Sequence, residues 1–275
     1  MIVLGGSSRQ SLAALRAGLD SALKGVSAGE ASAISNDLFI ALNAMDSSTG
    51  LRRALTDPSR DSASKSELVS DLFKKLLGAP ALSLLGIAVS LRWSTPSGIA
   101  DAVEQIAVEA EATAANLSDS LDRVQSELFL FSKLLIENPE LRTALSERTE
   151  SPTAKRELLK GIFGSKFAAS TSSLLFHTVD PRRSRNIEKT VGAYTHAVTS
   201  RRNRVNAHIK SSIALSDGQA KKLVDSLTKQ IGQPVHLNIE IDPSVLGGIL
   251  IRFGDEVIDG TIANRLAEAS RALVS

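Results

Sequence analysis

The sequence contains no cysteine, and aromatic residues make up only 4% of it, with one tryptophan and one tyrosine. Without cysteine there is no disulfide framework, no thiolate metal site and no cysteine nucleophile, which fits a reducing compartment. The shortage of aromatic side chains removes the usual material for stacking nucleic-acid bases. Any function must therefore rest on other residue types.

The sequence also lacks a large excess of charge of either sign and a long apolar run. The 32 basic and 30 acidic residues leave a net charge of +2, so no strong field attracts nucleic acid or an anionic membrane. The longest uncharged stretch, 76–91, has sixteen residues, contains two glycines and a proline, and is short of the about 20 residues that span a bilayer. We expect a buried helix there, and membrane association only through a complex.

Motifs that carry chemistry do not occur. The sequence has no phosphate-binding glycine loop, no dinucleotide fingerprint and no nucleophile elbow. Its four histidines never pair at the spacing of metal ligands. We therefore predict no catalytic, metal-binding or cofactor-binding residue and no cofactor, which indicates a protein that is not an enzyme.

The chain contains an internal repeat. Residues 37–73 align without gaps on residues 127–163 at an offset of ninety, with ten identical positions in 37. Within the second copy apolar residues recur every three or four positions, which is typical of amphipathic helices. The repeat predicts two similar small bundles, with the helix near 99–115 ending one and beginning the next.

The period changes from helical to alternating after residue 201. Alternation of apolar and polar residues predicts strands at 204–213, 235–241 and 249–253, and Gly254-Asp255 is a hairpin-type pair leading into a further short strand. Helices are expected between the first two strands and at 262–273. The predicted fold class is mostly α with a C-terminal α+β domain. Its predicted domains are an extra helical bundle at 1–110, a second bundle at 111–200 and a sheet-and-helix domain at 201–275.

A motif in the last domain resembles a known family. The run Val-His-Leu-Asn-Ile-Glu-Ile-Asp-Pro-Ser-Val-Leu-Gly-Gly-Ile-Leu-Ile-Arg-Phe-Gly-Asp-Glu-Val-Ile-Asp-Gly-Thr-Ile from 235 to 262 is similar to the C-terminal signature of the delta subunit of F-type ATP synthases. Thr261 departs mildly from the serine that the family more often has there. The motif positions here are Asp242, Pro243, Gly247, Gly248, Asp259 and Gly260.

The second bundle also resembles that family's N-terminal bundle. The matching positions are Asn138, Pro139, Leu141, Arg142, Lys155, Glu157 and Leu158. Residues 120–273 thus cover a whole ordinary delta subunit, and the first 110 residues look like the duplicated bundle of long actinobacterial members.

The resemblance implies a non-catalytic stator subunit of the proton-translocating F-type ATP synthase. Such a subunit joins the top of the catalytic head to the membrane-anchored stalk, so that rotation is coupled to ATP synthesis. Its implied partners are the alpha subunits of the head and b-type peripheral stalk subunits. Its implied location is peripheral, at the cytoplasmic face of the cell membrane.

One feature favours a different class of function. Arg182, Arg183 and Arg185, with Arg201, Arg202 and Arg204, form a basic cluster. A helical-repeat RNA-binding adaptor is therefore the alternative hypothesis, and it predicts an RNA affinity that falls steeply with salt. The balanced charge and the absence of interleaved aromatics count against it, so no nucleic acid is expected.

Overall fold

The computed structural model describes residues 6–147, 151–179, 186–231, 235–243, 245, 247–253 and 256–261. The chain divides into two compact units, Met1–Thr199 and Ser200–Ser275. A mostly helical chain with a C-terminal α+β unit, as predicted, is confirmed. The first eleven described helices are α1 (Gly6–Ala22), α2 (Ala28–Ser47), α3 (Thr49–Thr56), α4 (Ser62–Phe73), α5 (Ala79–Ser90), α6 (Gly98–Leu117), α7 (Leu121–Glu137), α8 (Pro139–Ser146), α9 (Pro152–Phe163), α10 (Ala169–Thr178) and α11 (Ile187–Val205).

The helices repeat with the same period as the sequence. Helices α8 and α9 begin and end ninety residues after α3 and α4, and α10 begins ninety residues after α5. Helix α6 follows α1 at nearly the same offset, and α11 follows α6. Helix α6 is therefore both the sixth helix of the first copy and the first helix of the second.

Helix α6 is buried on all sides because it contacts both copies. It packs against α1, α2, α3 and α5 of the first copy and against α7 and α10 of the second. Its sequence is rich in alanine, and small side chains let neighbouring helix axes approach closely. The helical unit thus has one continuous core that runs through α6. The two-bundle division stays a prediction.

Local signals explain where several helices begin. Ser27 and Glu30 form a reciprocal capping box at the start of α2. Ser151 accepts a hydrogen bond from the backbone N–H of Ala154, and Pro152 takes the first position of α9. Among the described helices none is both long and apolar enough to cross a membrane.

The C-terminal unit contains a four-stranded sheet in the order β2-β1-β3-β4. Its elements are β1 (Asn206–Ser211), α12 (Asp217–Ile231), β2 (His236–Ile241), β3 (Ile249–Phe253) and β4 (Glu256–Asp259). Strands β1 and β2 are parallel and are joined through α12, whereas β1–β3 and β3–β4 are antiparallel. Ala207, Ile209, Leu227, Val235 and Ile251 form the core of this unit.

One expected helix boundary differs in the structure, and several expected features lie outside the described residues. Helix α11 runs to Val205, past the expected end near residue 200 and over the start of the strand expected from residue 204. The expected last helix at 262–273, the Gly254-Asp255 pair and the arginines at 182, 183 and 185 lie outside the described residues.

Candidate functional site

The family-like residues of the second copy lie together on α8 and α9. Asn138 precedes α8, and its side-chain amide donates to the carbonyl of Leu134, 3.0 Å away. Pro139 begins α8 and is exposed, whereas Leu141 is partly buried against the core. These residues therefore set the turn between α7 and α8 and anchor the short helix that follows.

Two basic side chains tie these helices to their surroundings. Arg142 forms an ion pair with Glu188 of α11, with 3.0 Å between Nη1 and Oε1. Lys155 is buried, and its ammonium donates to the carbonyl of Glu147 at the end of α8. Lys65, at the same position of the first copy, is also buried. Lys155 is thus a structural side chain.

The outer surface of α7 and α9 carries exposed apolar side chains. Glu157 forms an exposed pair with Lys160, and next to it Leu158 and Ile162 are exposed one turn apart on α9. On α7 the exposed apolar residues are Phe129, Leu130 and Ile136. We name this set, with Leu158 and Ile162, the α7–α9 surface. The three on α7 were not predicted from the sequence, although the buried Leu128, Phe131 and Leu135 define the inward face of the helix.

The C-terminal motif residues lie at one end of the sheet, where β1, β2 and β4 end and β3 begins. Gly247 and Gly248 have φ values of 67° and 82°, which only glycine reaches at low cost. A Cβ on Gly248 would lie 3.0 Å from the Cα of Thr261 and closer still to the carbonyl oxygen of Gly260. The amide of Gly260 donates to the carbonyl of Ile249, 3.0 Å away. The glycines therefore allow two chain segments to meet closely.

Hydrogen bonds hold Asp259 and Asp242 at this end. Asp259 accepts from the backbone amide of Thr261 at 3.0 Å and from its hydroxyl at 2.6 Å, which lowers the pKa of the Asp259 carboxyl. The backbone amide of Asp242 donates to the carbonyl of Ser211. Exposed Pro243 follows in the turn. These residues therefore shape the turn between β2 and β3 and the end of β4.

Lys210 joins the ends of β1 and β2. Its ammonium lies 3.1 Å from Asp242 Oδ2 and 3.4 Å from Glu240 Oε1. The hydrogen bond from Lys210 to Asp242, with the charges of both carboxylates, raises the pKa of the lysine. At the same end of the sheet Ile213 and Ile241 are 70% and 58% exposed. Ile213 lies just after β1 and Ile241 is the last residue of β2. Because these two strands are paired in parallel, both isoleucines lie at the motif end of the sheet.

Arg201 and Arg202, the arginines of the basic cluster whose side chains are described, do not form a free cationic surface. Arg201 is buried and Arg202 is half-buried, and both have partners within the protein. In the described part of the chain no three potential metal-ligating side chains lie close enough to hold an ion. The site residues therefore present apolar surfaces and structured turns, which suits binding to other proteins.

Comparison with known proteins agrees with this picture. The family model described as "ATP synthase delta (OSCP) subunit" matches residues 107–273. ATP synthase subunit delta of Streptomyces coelicolor is 39% identical over 270 residues, covering 98% of both chains. The protein of the same name from Nocardioides sp. is 39% identical and covers 89% of this chain and 88% of its own length.

A more distant actinobacterial relative and a solved structure extend the comparison. Subunit delta of Kineococcus radiotolerans is 35% identical, over 98% of this chain and 97% of its own. A chain of the Toxoplasma gondii mitochondrial ATP synthase hexamer aligns over 61% of this chain, but at 18% identity and a TM-score of 0.32 the match adds nothing. The family match and the nearly full-length relatives show that this chain belongs to the ATP synthase delta (OSCP) subunit family and is a non-catalytic stator subunit of the peripheral stalk.

Proposed function

We propose that this subunit joins the alpha subunits of the catalytic head to b-type stalk subunits, with the helical unit on the head and the C-terminal unit on the stalk. The observation that carries the proposal is the division into two compact units, each of which exposes apolar side chains of its own. A connector needs two separate binding surfaces, and the chain offers one on each unit.

Each surface suits a helical partner. The α7–α9 surface places apolar residues at helical spacing, and amphipathic helices bind by laying such a face against another. In the C-terminal unit Ile213 and Ile241 are exposed at the motif end of the sheet, where apolar side chains suit the centre of a contact with another protein. Held by the stalk, the subunit would be peripheral, at the cytoplasmic face of the cell membrane.

The division of labour between the units can be tested with variants of the exposed isoleucines. We expect Ile213→Ser with Ile241→Ser to weaken binding to immobilised b-type stalk subunits at least tenfold and to leave binding to the purified head unchanged. Leu76→Ser, at an exposed apolar position of the helical unit, is the matched control and should leave stalk binding unchanged. Equal stalk binding by both variants would contradict the assignment of the C-terminal unit to the stalk.

Proton-driven ATP synthesis provides a functional test of the same double variant. In membrane vesicles the isoleucine double variant should lose proton-driven ATP synthesis, because an unattached head turns with the rotor. ATP hydrolysis by the released head should continue at the wild-type rate, since the subunit performs no chemistry. Loss of that hydrolysis would show that the chain acts on the catalytic site and would overturn the proposal.

A further inference from the structure

The chain contains the same chemically labile pair of residues, Asp-Gly, at two positions. One is Asp217-Gly218 at the start of α12, and the other is Asp259-Gly260 at the end of β4. Aspartate followed by glycine isomerises spontaneously more readily than other aspartyl links, because glycine has no Cβ to keep its backbone nitrogen away from the carboxyl group. The two links share this intrinsic reactivity, so a difference between them must come from the fold.

The isomerisation is intramolecular. The backbone nitrogen of the glycine attacks the side-chain carboxyl carbon of the aspartate, an N–C bond forms, and the carboxyl hydroxyl leaves as water with the amide proton. A water molecule then opens the ring at the main-chain carbonyl, so that the chain runs through the former side-chain carboxyl as isoaspartate. One water is lost and one is gained, and nothing is oxidised or reduced. The reaction therefore requires a mobile carboxyl group and an amide that no other acceptor holds.

Both reacting groups are held at Asp259-Gly260. The Asp259 carboxylate accepts from the backbone amide of Thr261 at 3.0 Å and from its hydroxyl at 2.6 Å. The amide of Gly260 donates to the carbonyl of Ile249, 3.0 Å away. The hydroxyl and the amide of Thr261 also lower the pKa of the Asp259 carboxyl, which depletes the protonated form whose hydroxyl can leave. Isomerisation here must first break hydrogen bonds of the sheet end.

The corresponding groups at Asp217-Gly218 are not held in this way. Asp217 is exposed, and its carboxylate forms no hydrogen bond or ion pair with the described residues. The cap of α12 uses its neighbours instead: the amide of Ser216 donates to the Gln219 side chain at 2.9 Å, and the amide of Gln219 donates to the Ser216 hydroxyl at 3.4 Å. The first intrahelical hydrogen bond starts at the amide of Ala220, so the Gly218 amide precedes the helical ladder.

The surroundings of Gly218 leave room for the rearrangement. A Cβ placed on Gly218 would meet no atom from another part of the chain within 4 Å. Glycine also lowers the helical preference of this first turn, and terminal turns open at a small free-energy cost. The glycine nitrogen can therefore reach the Asp217 carboxyl carbon without unfolding of the sheet.

We infer that Asp217 is a modification site of the folded subunit, at which isoaspartate accumulates, and that the fold protects the identical link at Asp259. The inference is independent of the proposed function, because it concerns the chemistry of the chain itself. Isomerisation adds a methylene group to the backbone in the first turn of α12, and Leu223 and Leu227 of this helix pack on the sheet. The modified chain should therefore have a weakened start of α12.

The two links in one chain serve as each other's control. The full-length subunit is incubated for several weeks at neutral pH, folded in one sample and unfolded in urea in another. Peptide mapping with electron-transfer fragmentation distinguishes isoaspartate from aspartate at each position. We expect isoaspartate to form at least tenfold faster at position 217 than at position 259 in the folded sample. In urea the two rates should agree within about threefold, because no fold protects either link.

A matched pair of asparagine variants repeats the comparison on a shorter timescale. Asp217→Asn and Asp259→Asn form the same ring with loss of ammonia in place of water, and asparagine before glycine reacts faster than aspartate does. The folded Asp217→Asn variant should deamidate at least tenfold faster than the folded Asp259→Asn variant. Thermal unfolding of both variants verifies that they are folded at the incubation temperature.

Three results would overturn the inference. Equal rates at positions 217 and 259 in the folded subunit would show that the hydrogen bonds of Asp259 and Gly260 give no protection. A faster reaction at 259 would show that the motif end opens more readily than the first turn of α12. Absence of isoaspartate at 217 from the folded sample, while the unfolded chain forms it, would show that the helix protects its own first turn.

Discussion

At the scale of single residues, the most consequential groups are three buried carboxylates on α6. Glu109 accepts from Arg16 of α1 at 2.8 Å. Glu111 accepts from the hydroxyl of Ser32 of α2 at 2.9 Å, and Glu104 accepts from the hydroxyl of Tyr194 of α11 at 3.1 Å. Buried charges need such partners because desolvation is costly. The glutamates therefore fix which helices surround α6.

Replacing Arg16 should reveal the free-energy cost of burying the Glu109 carboxylate. Arg16→Met leaves the Glu109 carboxylate buried without its guanidinium, and we expect the free energy of unfolding to fall by about 3 kcal/mol. Urea unfolding followed by the fluorescence of Trp93, whose indole is tied to the carbonyl of Ala88 in the helical unit, measures the change.

The matched control removes the charge from both sides. Arg16→Met combined with Glu109→Gln should recover at least half of the lost stability, since the buried negative charge is removed together with its guanidinium partner. A single variant as stable as the wild type would show that other groups satisfy Glu109.

His177 predicts a pH dependence of stability. Burial against Phe39, and the positive charge of Arg156, lower the pKa of its imidazole from 6.5 to about 3. The unfolded chain takes up a proton below pH 6.5, whereas the folded protein does so only near pH 3, so stability is lost as the pH falls through this window. Between pH 7 and pH 5 we expect a loss of about 1–2 kcal/mol from this residue.

The test compares unfolding free energies of His177→Gln and the wild type at pH 7 and pH 5. The variant should lose less stability on acidification, because its side chain takes up no proton. His196→Gln, at an exposed position of α11, controls for removal of a histidine as such. Equal acid sensitivity in the wild type and His177→Gln would refute the assignment.

At the scale of helices and strands, the sequence predicted most of what the structure shows. The strand expected at 249–253 coincides with β3, and the repeated helices keep the ninety-residue offset, because local period alone decides these elements. The extension of α11 to Val205 was missed, since its last turn overlaps the start of the alternating pattern. Phe39 is 1% exposed and Phe129, ninety residues later, is 67% exposed. This difference could not be predicted, because both residues follow a leucine in the same local pattern, and the side chains that cover Phe39 come from the distant helices α10 and α11.

The turn before β3 gives a prediction at this scale. Gly248→Val adds a branched side chain at a φ of 82°, where it would also meet the backbone of Gly260 and Thr261. We expect a loss of at least about 2 kcal/mol in the C-terminal unit, seen as faster hydrogen exchange of the β3 amides.

Gly218→Ala provides the contrasting variant for that turn. It lies in α12, where an added Cβ meets no atom within 4 Å, and it should stabilise the unit by up to about 1 kcal/mol. Exchange is the right measurement because the tryptophan and the tyrosine both lie in the helical unit. Unchanged β3 protection in Gly248→Val would show that the turn can adopt another conformation.

At the scale of the whole molecule, the shared helix decides whether the two copies are separate bundles. The family model begins at residue 107, inside α6, so the family-like part of this chain starts in the middle of a helix that both copies use. Ser35 of α2 donates to the carbonyl of Ala107 at 2.8 Å, and Arg16 and Ser32 bind Glu109 and Glu111 from the first copy. A helix that is buried on nearly every face, as α6 is, keeps its surroundings only while its neighbours are present.

We therefore predict that a fragment starting at residue 96 will not behave as an independent domain. It keeps α6 but loses α1, α2, α3 and α5, which leaves apolar surface and two carboxylates of α6 without their first-copy contacts. We expect self-association in size-exclusion chromatography with light scattering, and a thermal unfolding midpoint more than about 10 °C below that of the intact chain. The fragment 1–205, which keeps all of α1 to α11, is the matched control and should unfold cooperatively as a monomer. A monomeric 96–275 fragment with the midpoint of the intact chain would instead show that the second copy folds alone, and that the first copy was added to a complete bundle without sharing its core.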